Sequence, residues 1–295
     1  MEHTNLLNET ALLFEGGGMR ASYTSGMVVT LLEEGIHAPF VAGISAGASH
    51  TANYLSEDGP RARRSFTDFA ADPNFGDWRT FLRGKGLFHA EYIYEHAGYP
   101  GMPLEFDWDT FQQSPAQFRV GGFDIDSGET VWWGNDDAPT MPDLMRQVRA
   151  SSTMPIVMPP VEIDGRTYVD GALGTDGGVP ISIAQQHGYQ RYLVIMTREN
   201  EYRKQPEKFP QFYRAYFRKY PAVADALITR WWRYNQTKEQ LFELQRQGKA
   251  YLFIPDVMPV ANGERNVEKL NAAHTLGLAQ ARRELPAIKE FLGLA

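Results

Sequence analysis

The stretch Val41-Ala42-Gly43-Ile44-Ser45-Ala46-Gly47 carries the pattern G-x-S-x-G. In that pattern a serine sits on a sharp turn between a strand and a helix and presents its hydroxyl to a cleft. The glycines keep Cβ atoms out of the neighbouring backbone. Acyl transfer by such a serine needs two more parts, a base for its proton and donors for the developing oxyanion. Gly16-Gly17-Gly18 is the candidate oxyanion loop. Glycine leaves backbone N–H groups unshielded, and a following helix adds the positive end of its dipole. Arg20 adds a cation near the same place. Gly16-x-Gly18-x-x-Ala21 also fits a relaxed dinucleotide fingerprint, but that reading needs an acidic residue at the end of the second strand to hold a ribose. The second strand here ends in Gly43-Ile44-Ser45.

A Ser-His-Asp arrangement needs a histidine, and there are seven: His3, His37, His50, His89, His96, His187 and His274. None lies in a glycine-framed loop at a strand end. His274 alone comes late enough to mimic an α/β-hydrolase, and it sits inside a helical pattern. Asp170 follows an apolar strand directly and precedes glycine, the position of a site carboxylate, though Asp-Gly is also a common turn former. Asp176-Gly177-Gly178 offers a second aspartate six residues on.

The elements around these residues must hold them together. Ala11-Leu12-Leu13-Phe14 reads as a buried strand that stops at the glycines, and Met19, Tyr23, Met27 and Leu31 keep helical spacing up to a Gly35 cap. Phe40-Val41-Ala42 is a second strand, and Ala46, Ala48 and Ala52 open a close-packing helix. Strand, glycine loop, helix, strand, serine turn, helix is a βαβ unit with parallel strands. Its two loops leave the carboxyl ends of those strands, where open α/β sheets bind ligands. The loops are about 29 residues apart, the size of one such unit, so the triple glycine and Ser45 should face one crevice. Further on, Phe123-Asp124-Ile125 and Thr130-Val131-Trp132 flank a hairpin turn, and Thr140-x-x-Asp143 opens a helix. Val161 to Val169 is a hairpin around Asp164-Gly165, and Pro180 to His187 a short helix. Tyr192–Met196 and Tyr251–Ile254 are strands, and the chain is helical from about Val267.

Taken together, these features resemble the patatin-like phospholipases. Gly16-Gly17-Gly18-Met19-Arg20, Gly43-Ile44-Ser45-Ala46-Gly47 and Asp170-Gly171-Ala172 after Tyr168-Val169 carry the resemblance, with Ala150-Ser151-Ser152 through Pro159-Pro160 beside them. It covers about residues 10–200 well. It implies a three-layer α/β/α fold with a mostly parallel central sheet and a Ser-Asp dyad without histidine. Carried over, Ser45 attacks the ester and Asp170 takes and returns its proton. The loop Gly16, Gly17, Gly18 holds the oxyanion, with Arg20 supporting it. Ala21 and Ala172 stand where the family often has glycine; both are small. The expected activity is hydrolysis of carboxylic esters of lipids, phospholipid or lysophospholipid. A histidine-triad esterase and a non-catalytic lipid-binding module stand as alternatives.

The bulk composition agrees with one globular enzyme. The 295 residues read as a single domain, 1–295: a core of about 10–200, a basic and aromatic helical segment of about 202–250, and a returning strand with C-terminal helices over about 250–295. A net charge of −7 argues against a nucleic-acid partner. The absence of cysteine excludes disulfides and thiolate metal sites and fits a reducing compartment. No H-E-x-x-H or similar ligand cluster appears, so no metal or other cofactor is expected. With no basic-then-apolar leader at the N-terminus and no run of about 18 apolar residues, a cytoplasmic protein is expected. Residues 202–250 hold eleven Lys or Arg against four Asp or Glu, so they carry +7 and the remainder −14. Phe212, Tyr213, Tyr216, Phe217 and Tyr220 recur there at helical spacing, before Arg230-Trp231-Trp232-Arg233. Two readings follow: a helix packed on the sheet by its aromatic face, or a cap over the Ser45 cleft that touches membrane lipid peripherally.

Overall fold

A computed structural model describes residues 5–6 and 9–294; His3 lies outside the described residues. The strands run β1 (Asn5–Leu6), β2 (Thr10–Phe14), β3 (Ile36–His37), β4 (Phe40–Ile44), β5 (Gln117–Asp124), β6 (Thr130–Trp133), β7 (Val161–Ile163), β8 (Arg166–Asp170), β9 (Arg191–Ile195) and β10 (Ala250–Phe253). The helices are α1 (Ala21–Glu33), α2 (Ala46–Leu55), α3 (Gly59–Arg64), α4 (Trp78–Leu82), α5 (Trp108–Gln113), α6 (Met141–Ser151), α7 (Ile181–Gln186), α8 (Pro210–Tyr216), α9 (Pro221–Arg246) and α10 (Val267–Leu292).

Every residue of β2 and of β4 is buried. Side chains alternate across a strand, so a wholly buried strand needs cover on both faces, the condition of a parallel sheet between helical layers. Leu12, Phe14 and Val41 enter one core with Met27 and Leu31 of α1, Ala48 and Ala52 of α2, and Val148 of α6. Ala11, Leu13, Phe40 and Ala42 enter the other with Ile181 and Ala184 of α7 and Tyr234 and Leu241 of α9. This is the three-layer α/β/α arrangement the sequence implies. The eight-stranded sheet has the order β10-β9-β2-β4-β5-β8-β7, with β6 paired to β5 off that path. The pairs from β10 to β5 are parallel; β8, β7 and β6 join antiparallel. β1 and β3 form a separate two-stranded parallel sheet. Thus β10, beyond residue 250, completes the same sheet that holds β2.

Two elements differ from the sequence reading. The hairpin strand at Phe123 begins earlier, at Gln117, and runs through the middle of the sheet. The aromatic run from Phe212 to Tyr220 is not one helix. Proline at position 221 disfavours helical backbone at the residue before it, and Tyr220 sits at φ −128°, so α8 ends and α9 starts afresh. The amphipathic α9 buries Val223, Ala224, Ala226, Tyr234 and Leu241, so its apolar stripe packs into the domain.

The turn into α2 allows no side chain at either flanking glycine. A Cβ on Gly43 would lie 2.1 Å from the Gly47 carbonyl oxygen, and one on Gly47 would lie 2.2 Å from that of Phe14. Both obstacles are backbone and cannot rotate away. Gly47→Ala should therefore lower stability by about 1–3 kcal/mol or more, read as a fall in the urea unfolding midpoint. Gly98→Ala, whose Cβ would find only ordinary contact at 3.7 Å, should leave the midpoint nearly unchanged.

Candidate active site

Ser45 occupies the corner between β4 and α2 at φ 58°, ψ −125°. A non-glycine residue in this region costs on the order of 1–3 kcal/mol, so the surroundings must impose it. They do: the Ser45 N–H donates to Ser151 Oγ at 2.8 Å, and the Ser45 carbonyl accepts the Ala48 N–H at 2.9 Å. The side chain then points at a carboxylate. Ser45 Oγ donates to Asp170 Oδ2 at 2.9 Å. The two residues flank β5: Ile44 pairs with Gly121 on one side of it, and Asp170 pairs with Gly122 on the other. The Ser45–Asp170 pair thus spans β5 at Gly121 and Gly122, between its own two strands.

Asp170 is fixed before it meets the serine. Its N–H donates to the Thr153 carbonyl at 2.8 Å, and its Oδ1 accepts the Ala172 N–H at 2.8 Å. The residue is only 7% exposed. Burial pushes its carboxyl above the ordinary range, while Arg230, the Ala172 amide and the Ser45 hydroxyl pull it back. Asp176 is equally buried, but its Oδ2 accepts both the N–H and the hydroxyl of Ser182, at 3.0 and 2.6 Å. It lines neither of the pockets that reach Ser45.

The glycine loop approaches the serine closely: a Cβ on Gly16 would lie 3.1 Å from Ser45 Cβ. The Gly16 N–H, expected to serve an oxyanion, is instead committed to the Gly178 carbonyl at 3.0 Å, which the loop needs in order to follow β2. Gly17 and Gly18 have no acceptor for their N–H groups among the described residues. They remain available donors. Arg20 also departs from expectation. Its guanidinium makes no hydrogen bond to the loop; Nε and Nη1 are buried without a partner, and the side chain lines the neighbouring pocket. Burial and the nearby Arg198 push it down to about 10.

Two pockets meet at Ser45. One, with about 810 Å³ of open space including its mouth, is walled by apolar side chains such as Phe66, Phe88, Leu104, Met145 and Val148. The other, about 620 Å³, is polar and holds Arg20, Asp170, Arg198, Lys204 and Arg230. Gly18, Ser45, Met154 and Asn262 belong to both. No described histidine lines either. His50 lies buried against the Ala21 carbonyl and Thr24 and is pushed down to about 3 by desolvation. His274 bonds Ser25 and is pushed down to about 4 by the same cause. Among the described residues, no three acidic or histidine side chains are grouped as metal ligands.

The sequence did not single out Ser151, Tyr94, Asn262, Arg198 or Lys204 as site residues. Asn262 lies on the Gly18 backbone, and its carbonyl accepts the Met19 N–H at 2.9 Å. Tyr94 comes from a π-helical turn over Glu91–His96, the kind of irregularity that collects at functional sites. No short-range pattern marks any of these residues.

The model of one family, described as patatin-like phospholipase, matches residues 12–184. A second, described as a domain of unknown function (DUF6363), matches residues 220–293. No curated protein matches by sequence. Among solved structures, VipD from Legionella pneumophila is similar, with a TM-score of 0.50 at 12% identity over 95% of this chain and 67% of that one. At that identity the likeness is one of fold.

The raised carboxyl of Asp170 has a consequence for stability. Just above about pH 3.8 the folded form still holds a proton that the unfolded chain has begun to release, so the stability contributed by the protonated form is lost as pH rises through the raised folded value. Asp170→Asn keeps the shape and removes the buried charge. The variant should unfold at a higher temperature than the wild type at pH 7, and the gap should close as pH falls below 3.8. Thermal melts across that range check it.

Proposed function

The chain belongs to the patatin-like phospholipase family, and from that premise we propose that it hydrolyses carboxylic esters of lipids with Ser45 as nucleophile and Asp170 as its only base. The Ser45–Asp170 hydrogen bond of 2.9 Å carries this reading. Asp170 takes the hydroxyl proton as Ser45 Oγ bonds to the ester carbon. The N–H groups of Gly17 and Gly18 receive the oxyanion. Collapse of the tetrahedral adduct breaks the ester bond, and Asp170 returns the proton to the departing alcohol. Water, deprotonated by the same carboxylate, then frees the fatty acid and restores Ser45. The apolar pocket suits an acyl chain, which supports phospholipid or lysophospholipid over a small polar ester.

Ser45→Ala should lower kcat/KM on a nitrophenyl ester by about a thousandfold or more, and a fluorophosphonate should label the wild type at Ser45 alone. Asp170→Asn should match that loss. Asp176→Asn and single alanine replacements of the histidines should retain turnover in whatever protein folds. An essential histidine would reinstate the triad.

A lipid enzyme must also reach its substrate. Phe209, Phe212 and Tyr216 stand exposed around α8, and Trp232 on α9; Trp231 is half-buried. Across a groove of about 1070 Å³, Phe81 of α4 faces Tyr216 and Phe217. Met158 lines this groove and the apolar pocket both. Aromatic and basic side chains together favour a lipid interface, so this face is the membrane contact. Replacing Phe212, Tyr216 and Trp232 by alanine should weaken sedimentation with anionic vesicles about tenfold and slow vesicle hydrolysis in step. Nitrophenyl ester hydrolysis should stay within about twofold. Equal loss on both substrates would make the segment structural.

A further inference from the structure

The polar pocket holds more positive charge than the chemistry at Ser45 uses. Arg20, Arg198, Lys204 and Arg230 all line it, and none of them forms an ion pair among the described residues. The two carboxylates at the pocket, Asp170 and Glu15, are too few to balance the four cations, and each is held by hydrogen bonds to other groups. Asp170 serves Ser45 and Ala172, and Glu15 Oε2 accepts the Thr197 N–H at 2.5 Å. Arg20 is only 7% exposed, yet its Nε and Nη1 donate to nothing among the described residues. A guanidinium taken out of water with unfilled donors is costly, and native proteins rarely leave one so.

The cations are also built into place. Both polar atoms of the Asn235 side chain clamp the Lys204 backbone, Nδ2 to its carbonyl at 3.0 Å and Oδ1 from its N–H at 2.9 Å. Lys238, fully buried on α9, donates its ammonium to the carbonyls of Glu199 and Tyr202 at 2.6 and 3.1 Å. These bonds tie the strap between β9 and α8, which carries Arg198 and Lys204, to the helix that carries Arg230. Arg230 Nε is aimed by the Gly177 carbonyl at 3.3 Å, and the Arg198 guanidinium lies 4.2 Å over the Tyr202 ring. Burial first, then the neighbouring Arg230, pushes Lys204 down to about 8, with Arg198 and Arg20 acting the same way and Glu207 pulling it back. Four cations outnumber the two carboxylates, Glu15 and Asp170, that line the same pocket, and the excess favours an anion.

The position of this cluster says which part of a substrate it meets. An acyl chain in the apolar pocket with its ester carbon at Ser45 leaves the alcohol portion facing the polar pocket. Building on the Ser45 reading above, we propose that the pocket takes the phosphate of an anionic alcohol portion, so that the preferred substrates are acyl esters of a phosphoglycerol without a cationic amine. A choline group would bring a further positive charge among four cations. A neutral glyceride would leave them unpaired.

The test uses the whole chain and monomeric dihexanoyl lipids below their micelle concentrations, so that attraction to a charged surface does not enter. The phosphatidate should be hydrolysed with kcat/KM at least about tenfold above the phosphatidylcholine and the diglyceride, the worth of one charge-assisted hydrogen bond. Lys204→Gln and Arg198→Gln should each bring that ratio toward one, chiefly by raising KM for the phosphatidate, and Lys204→Arg should preserve it. Hydrolysis of all three lipids and of a nitrophenyl ester with ratios near one in the wild type overturns the inference and leaves the Ser45 reading standing. No hydrolysis of any of them overturns both. Should inorganic phosphate raise the wild-type unfolding temperature while the lipid ratio stays near one, the ligand is free phosphate and the headgroup assignment fails.

Discussion

The approach of three backbones at one point governs the rest of this molecule. The Phe14 carbonyl, the peptide at Gly43 and the first turn of α2 lie so near each other that no Cβ fits between them. That contact locks the end of β2 to the end of β4, forces the chain through a left-handed corner at Ser45, and brings Gly16 within van der Waals reach of the serine. The corner and the glycine loop are therefore one rigid unit. A loop resting only on side chains would not hold its amides toward a single point, and an oxyanion site is useful only if it does not reorganise.

Around that unit, polar groups are buried. Asp170 and Arg20 keep only a small exposed edge on the pocket, and Lys238 is fully buried. The three are handled differently. Lys238 meets two carbonyls and becomes a structural pin, with burial pushing it down to about 8. Asp170 meets one amide and one hydroxyl, enough to fix its direction and too little to bring its affinity for a proton back to normal. Arg20 Nε and Nη1 meet no hydrogen-bond partner among the described residues. The sequence runs from satisfied to unsatisfied as one moves from the scaffold to the cleft, which is where unsatisfied polarity can be relieved by something that binds.

How much of this the sequence disclosed depends on range. The Ser45 corner was legible because its rule is steric and local: the glycines that permit it are two residues away on each side. The βαβ unit was legible because two apolar runs and one helical stripe sit within one stretch of chain. β5 was legible only at its far end, since Gly121 and Gly122 interrupt it with residues that disfavour strands. The partner of the Gly16 amide was not legible because its acceptor, the Gly178 carbonyl, is more than 150 residues away in the chain although adjacent in space. Arg198, Lys204 and Arg230 belong to no motif. They become neighbours only through Asn235 and Lys238, and hydrogen bonds of that span leave no trace in local spacing.

The strand order also sets a timetable. β2 and β4 can pair, with α1 and α2 over them, from one short stretch of chain. β2 then keeps one edge open until β9 is made, because Leu13 pairs with Val194. β10 must follow to cover β9, and the carbonyl of Asn262 that receives the Met19 amide comes later still. Pairings between such distant residues form slowly and leave strand edges unprotected meanwhile. α10 closes the assembly by crossing α1 at Gly26 and Gly277, where a Cβ on Gly277 would strike the Tyr23 carbonyl. The Ser45 corner thus forms from one short stretch of chain and is enclosed only by residues far later in it, so a nascent chain carries that serine for a long time without the walls around it.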